Sequence, residues 1–141
     1  MEKVCILLAN GFETIEALTP LDYIRRVGGE KSAILVSTTG DLNVKSTQGV
    51  TVKADCLIDE LDAETLAAII IPGGLPGATS LRDNDQVINL IKIMYEDEKL
   101  VTAICAGPIV LEKAGILSGK NATSYPGFGD EMTSAKYQND R

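Results

Sequence analysis

Cys105 has the most reactive setting of any side chain in this sequence. It stands in Ile104-Cys105-Ala106-Gly107-Pro108, where an apolar run gives way to a helical pattern. Small residues follow it, and Pro108 suits a first helical position. A side chain on so sharp a strand-to-helix turn is presented at the rim of a sheet, in the manner of a nucleophile elbow. A helix N-terminus favours negative charge, so the expectation is a thiol pKa below its ordinary value. The commonest fate of a free cysteine is to be a small buried hydrophobe. The tight turn and helix start favour reactivity instead. Cys5 and Cys56 lack that setting and are expected to be structural.

Two other segments carry residues of the right type. Pro72-Gly73-Gly74 follows an apolar run, and two residues without side chains expose successive backbone N–H groups that can hold a developing oxyanion. Taken alone, the pair makes a turn and nothing more. Glu16 lies just ahead of an apolar helical stripe, and by spacing alone it reads as a solvated helix charge. Pro20, four residues on, cannot donate the helical hydrogen bond to the Glu16 carbonyl, which predicts a kink or local opening. The chain contains no histidine. That removes a His-ligated metal site and a Cys-His or Ser-His-Asp machine supplied by these residues alone. No metal or cofactor is expected.

The elements that must position these residues alternate. Val4 to Ala9, Ser32 to Val36, Leu66 to Ile71 and Leu100 to Ile104 are near-continuous apolar runs. Such runs suit parallel strands covered by helices on both faces. Ala17, Leu18, Leu21, Ile24 and Val27 form one helical stripe, stopped by Gly28-Gly29. Val87, Ile88, Leu90, Ile91 and Met94 form a second, with Asn84 or Asp85 as N-cap. Pro108 to Ala114 is a third. Between Thr38 and Lys53, turns at Thr39-Gly40-Asp41 and Gln48-Gly49 predict a small hairpin-like excursion. The whole reads as one α/β domain over residues 1–141, with a flavodoxin-like, doubly wound parallel sheet. In such sheets ligands collect at the carboxyl ends of the strands, where all three unusual segments emerge.

Composition narrows the partners. The 141 residues are 45% apolar and 23% charged, enough for a core and typical of a globular protein. A net charge of −7 argues against nucleic acid or an anionic membrane as the main partner. No apolar stretch is long enough to span a bilayer, and no signal peptide is evident at the N-terminus. Three irregularly spaced cysteines suit free thiols in a reducing compartment, so a cytoplasmic protein is expected.

Ala9-Asn10-Gly11-Phe12-Glu13 with Glu16 and Pro20, then Ile71-Pro72-Gly73-Gly74, then Ala103-Ile104-Cys105-Ala106-Gly107-Pro108, together resemble the ThiJ/PfpI superfamily. The likeness is greatest to the branch holding the parkinsonism-associated deglycase and its bacterial YajL-like relatives, and it runs in order from Met1 to about Tyr137. The resemblance implies that Cys105 is a nucleophile and oxidation-sensitive thiol. It makes Glu16 a protonated carboxyl hydrogen-bonded to that thiol and serving in proton transfer. It lines the pocket with the N–H groups of Gly73, Gly74 and Ala106, and it implies a homodimer with the first helix at the interface. Two departures stand out. Many relatives carry a His-Pro pair where this chain has Tyr125-Pro126. Tyr125 is a poor base at neutral pH, though usable as a hydroxyl donor to the pocket. Relatives also continue through a further strand and helix, so the chain reads as C-terminally incomplete at Arg141.

The resemblance implies an enzyme acting on small reactive carbonyls or glycated substrates, of glyoxalase or deglycase type, with no cofactor. The alternative is a redox sensor or chaperone-like stress protein working through Cys105 oxidation. A thiazole phosphate role in thiamine metabolism finds no specific phosphate site, and the lack of histidine weakens a cysteine peptidase. A purely ligand-binding flavodoxin-like module is the weakest reading, because Glu13 stands where a phosphate loop wants hydroxyls and bare N–H groups.

Overall fold

A computed structural model describes residues 2–139; Arg141, where the sequence stops, lies outside them. Strand β1 (Lys3–Leu8) runs up the middle of a parallel sheet. Helix α1 (Thr14–Gly28) carries the chain over one face to β2 (Ala33–Ser37), which pairs with β1 from Val4↔Ala33 to Leu8↔Ser37. The excursion follows as an antiparallel hairpin, β3 (Asn43–Lys45) against β4 (Thr51–Lys53). Short β5 (Cys56–Leu57) then adds to the outer side of β2. The chain crosses to the other side of β1 as β6 (Leu66–Ile71), runs through α2 (Gly77–Arg82) and α3 (Asp85–Glu96), and returns as β7 (Leu100–Ala103). Helix α4 (Pro108–Lys113) follows, then a small parallel pair, β8 (Asn121–Ala122) with β9 (Lys136–Tyr137).

The order β5-β2-β1-β6-β7 puts the four long strands in the flavodoxin-like arrangement that the apolar runs predict. β5 was not foreseen, because two residues give no periodicity to read. The order reverses between β1 and β6, so a crevice opens beyond their carboxyl ends. Ala9-Asn10-Gly11 and Pro72-Gly73-Gly74 flank that crevice.

Helices α2, α3 and α4 close one face of the sheet. Cys5, Leu7, Ile69 and Ile71 from the strands meet Leu81, Ile91, Met94 and Ile109 in one buried cluster. Asn84 caps α3, its side chain accepting from the N–H groups of Gln86 and Val87. On the opposite face α1 and the hairpin cover Ile6, Leu8, Phe12, Ala17, Leu35 and Val44. Helix α1 runs through Pro20 without a break. Its stripe ends sooner than expected, since Val27 is 92% exposed. At about 100° per residue Val27 stands roughly 80° around from Ala17, on the flank of the helix near its end. β7 also departs from the expectation of strands covered on both faces. It is the sheet edge and only half-buried, and Ile104 beyond it is 51% exposed.

Candidate active site

Cys105 sits at the predicted elbow, and its backbone shows what the elbow requires. The Ile104 N–H donates to the Ile71 carbonyl at 3.2 Å, which holds β6 and β7 together to their ends. Cys105 then takes φ 62°, the left-handed region that residues with a Cβ occupy only at a cost. The surroundings hold it there. The Gly107 N–H closes the turn onto the Ile104 carbonyl at 2.8 Å, and the Tyr125 N–H donates to the Cys105 carbonyl at 2.7 Å. Tyr125 therefore reaches the site through its backbone, while the residue as a whole is 58% exposed.

Glu16 comes to the same place from the opposite side of the crevice. The Glu13 N–H donates to the Gly73 carbonyl at 3.0 Å, which seats the start of α1 against the loop after β6. One turn on, the Glu16 side chain points inward, and its Oε1 is buried without a hydrogen-bond partner. Gly73 lies between the two functional groups. A Cβ built on it would stand 2.8 Å from both Glu16 Oε1 and Cys105 Cβ, and 2.9 Å from the Ala106 nitrogen. Only glycine lets carboxyl and thiol share this space. Gly74, at φ 87°, is needed for a different reason: its Cα packs onto the backbone of residues 11–13, where a side chain has no room.

The electrostatics couple the pair. Burial raises the Glu16 pKa above the usual carboxylate range, and the Glu13 charge raises it further. The Gly73 N–H and the Cys105 thiol oppose this, lying near the carboxyl without completing a hydrogen bond to the buried oxygen. Burial also raises the Cys105 pKa, and an ionised Glu16 adds to the rise, against N–H groups of Ala106 and Gly74 that lower it. The expected depression of the thiol pKa is thus reversed, because desolvation and a facing carboxylate outweigh the helix start. The neutral thiol thus favours an ionised Glu16, whereas an ionised Glu16 disfavours the thiolate, so the titration of one depends on the state of the other. With the proton on Glu16 the repulsion vanishes and its O–H can donate to sulfur. Of the three pocket N–H groups expected, Gly74 and Ala106 bear on the sulfur and Gly73 on the carboxyl.

The other thiols stand apart. Cys5 is fully buried in β1, and burial lifts its pKa far out of the physiological range. Cys56 is half-buried, and burial together with Glu60 and Asp55 raises its pKa. Among the described residues no three His, Cys, Asp or Glu side chains gather as a metal site. No helix there is long and apolar enough to cross a membrane.

Sequence reasoning missed the support for α1. Glu13 is its N-cap residue but makes no side-chain cap bond. The cap comes from Gln48, more than thirty residues away in the hairpin turn. Its Oε1 accepts from the Thr14 N–H at 3.2 Å and the Thr14 hydroxyl at 2.6 Å, and its Nε2 donates to Glu13 Oε2 at 3.0 Å. The Gln48-Gly49 turn was visible in the sequence; its destination was not.

Beside Glu16 an apolar groove of about 560 Å³ opens between α1 and the β6–β7 edge, lined by Ile15, Thr19, Pro20, Ile70, Thr102 and Ile104.

A parallel α/β sheet with a cysteine elbow and a facing buried carboxyl at its switch point defines the class. The chain belongs to the DJ-1/PfpI family, whose model matches residues 2–140. It is 31% identical over 133 residues to Deglycase PfpI of Pyrococcus furiosus, covering 94% of this chain and 78% of that protein. It is 33% identical over 133 residues to Protein DJ-1 homolog B of Arabidopsis thaliana; that match takes in 93% of this chain but only 30% of the longer plant protein. Among solved structures, Drosophila melanogaster DJ-1beta superposes with a TM-score of 0.91 at 29% identity, over 100% of this chain and 76% of that one. Oxidized Toxoplasma gondii DJ-1 superposes with a TM-score of 0.84 at 39% identity, over 93% of this chain and 71% of that one.

Proposed function

We propose that this protein is a cysteine-dependent enzyme acting on small reactive carbonyls, of glyoxalase or deglycase type. The observation that carries the reading is the meeting of the elbow thiol of Cys105 with the half-buried carboxyl of Glu16, whose pKa burial raises, across Gly73. Relatives named deglycases add support. The Cys105 thiolate adds to the aldehyde carbon of a substrate such as methylglyoxal, or of its adduct on an amine or thiol, giving a hemithioacetal. Glu16 gives its proton to the alkoxide oxygen as the adduct forms, and the resulting carboxylate takes the proton from that carbon and returns it to the neighbouring one. The hydroxyl proton passes to the former ketone oxygen, leaving a thioester. Water then cleaves the thioester, releasing a hydroxy acid and the free thiol. The N–H groups of Gly74 and Ala106 favour negative charge on the reacting sulfur and, in this reading, on the oxygen beside it. In this reading the protein is cytoplasmic and works as a homodimer, with the apolar groove beside Glu16 on the paired face.

Parallel measurements on Glu16→Gln test this. Thiol alkylation should survive while conversion of methylglyoxal to lactate falls by about 10²-fold or more, the usual worth of a placed acid–base group. Cys105→Ser should abolish turnover. Unchanged turnover in Glu16→Gln removes the proton-transfer role. One observation favours a second reading, redox sensing through Cys105: a 39% identical relative has been solved in an oxidized state. Stoichiometric sulfinate formation at Cys105 without carbonyl turnover would select it.

A further inference from the structure

The short pair β8–β9 lies outside the main sheet, yet a continuous set of contacts joins it to Cys105. Tyr137, in β9, packs its ring on Gly129, where a Cβ would come within 3.2 Å of the ring. Its hydroxyl meets Ser124 Oγ at 2.8 Å. The Ser124 hydroxyl donates its one proton to the Tyr125 carbonyl at 2.9 Å, so Tyr137 is the donor in the first contact. Tyr125 is thereby fastened at both ends, because its N–H donates to the Cys105 carbonyl at 2.7 Å. That last bond governs what stands across the peptide. The Cys105 carbonyl and the Ala106 N–H belong to one trans peptide and point in opposite directions. A carbonyl pinned toward Tyr125 turns the Ala106 N–H the other way, into the space that Gly73 leaves open. A Cβ on Gly73 would stand 2.9 Å from the Ala106 nitrogen and 2.8 Å from Cys105 Cβ. The Ala106 N–H is also one of the two that favour charge on the Cys105 sulfur.

We propose that Tyr137 and Ser124 are positioning residues for the Cys105 elbow: their hydroxyls hold the Tyr125 amide on the Cys105 carbonyl and so aim the Ala106 N–H at the sulfur. The proposal rests on reading Cys105 as the reactive thiol. The left-handed φ of 62° is what makes such a hold necessary. A residue with a Cβ keeps that conformation only where its surroundings over-determine it. The Gly107 N–H closes the turn on the Ile104 carbonyl, and the Tyr125 N–H secures the carbonyl of Cys105 itself. Since backbone makes this contact, it does not depend on the Tyr125 side chain. The pair β8–β9 is tied in turn to α4, the helix that starts beyond the elbow. Glu112 on α4 accepts from both the N–H and the hydroxyl of Ser134 at 2.6 Å. The titratable group that faces Cys105 is Glu16 from α1, and none of these contacts touches it.

The experiment is the pH profile of Cys105 alkylation by iodoacetamide, followed by peptide mass in the full chain and in Tyr137→Phe, Ser124→Ala, Ser124→Thr and Thr123→Val. The readout needs no carbonyl turnover, so it stands or falls apart from the enzymatic reading. Tyr137→Phe keeps the ring on Gly129 and removes only the hydroxyl. Its midpoint should rise by about half a pH unit, a roughly threefold loss of rate at pH 7, because a donor to the thiolate is misaimed. Ser124→Ala should rise at least as far, and the double variant no further than Ser124→Ala alone, since one relay is cut. Ser124→Thr, which keeps a hydroxyl in place, should hold the original profile. Thr123→Val removes the bond from the Thr123 hydroxyl to the Gln138 carbonyl, 2.7 Å long, on the same strand pair but off the relay. It should leave the midpoint where it is. Unmoved midpoints in Tyr137→Phe and Ser124→Ala overturn the proposal. So does an equal shift in Thr123→Val, which would mark general loosening of the strand pair. Should Ser124→Ala lose cooperative unfolding, Tyr137→Phe decides alone.

Discussion

The two faces of the sheet are built to different standards. On the α2–α3–α4 face, large side chains from three helices and four strands interlock, and Ile69, Ile91, Met94 and Ile109 are all essentially inaccessible. The α1 face is closed only where α1 and the hairpin lie. Beyond Pro20 it opens into the apolar groove, and Ile15, Tyr23 and Ile104 meet solvent. Glu16 sits at the border, with one carboxyl oxygen buried against Gly73 and the groove alongside. The first face sets whether the chain folds. The second carries the Glu16 carboxyl that faces Cys105.

Substitutions should separate the faces in that order of size. Ile91→Ala, deep in the closed face, should cost about 2–5 kcal/mol of unfolding free energy in urea, because the cavity it leaves cannot collapse. A cost below about 1 kcal/mol would mean that this face is looser than its burial shows. Asn84→Ala on the same face removes two side-chain acceptances at the start of α3 and should cost about 1 kcal/mol.

Glu16→Gln tests the border, where the expected sign reverses. The folded state raises the Glu16 pKa, so it holds that proton more tightly than the unfolded chain does. The stability owed to this is complete below the ordinary glutamate pKa, near 4.3, and is lost as pH rises through the folded value. At pH 7 to 8 the glutamine variant should therefore be the more stable protein, by about 0.5 kcal/mol after solvent screening. The advantage should vanish in unfolding curves near pH 4. A variant equally stable at both pH values would show that Glu16 pays no desolvation cost. Smallest of all, Ile15→Ser on the open face, where Ile15 is 68% exposed, should change stability by no more than about 0.5 kcal/mol. A larger loss that grows with protein concentration would show a second copy covering the groove.

Much of this was legible in the residues. The four apolar runs are the four long strands within a residue or two, since strands buried between layers must be apolar on both sides. Asn84 was legible as a cap because capping chemistry is local. The hairpin followed from its two turns, and the Cys105 elbow from small residues and a proline after a strand. Val27 was misplaced because a stripe shows which way a helix faces, not where its neighbour ends.

What the sequence by itself determined, then, is everything set by contacts within a few residues: strand and helix positions, caps, turns and the elbow that strains Cys105. The tertiary structure decided the rest. Glu16 reads as a solvated charge in its own helix and becomes a buried carboxyl only because Gly73, 57 positions later, leaves it room beside Cys105. The direction of the thiol's pKa was misjudged for the same reason, since desolvation and a facing carboxylate come from other segments. Gln48 holds Glu13 across the gap between hairpin and helix, a contact between residues far apart in the chain that no local pattern encodes. Local chemistry is written in neighbouring residues, whereas burial and charge coupling exist only once distant segments share a small volume with little water.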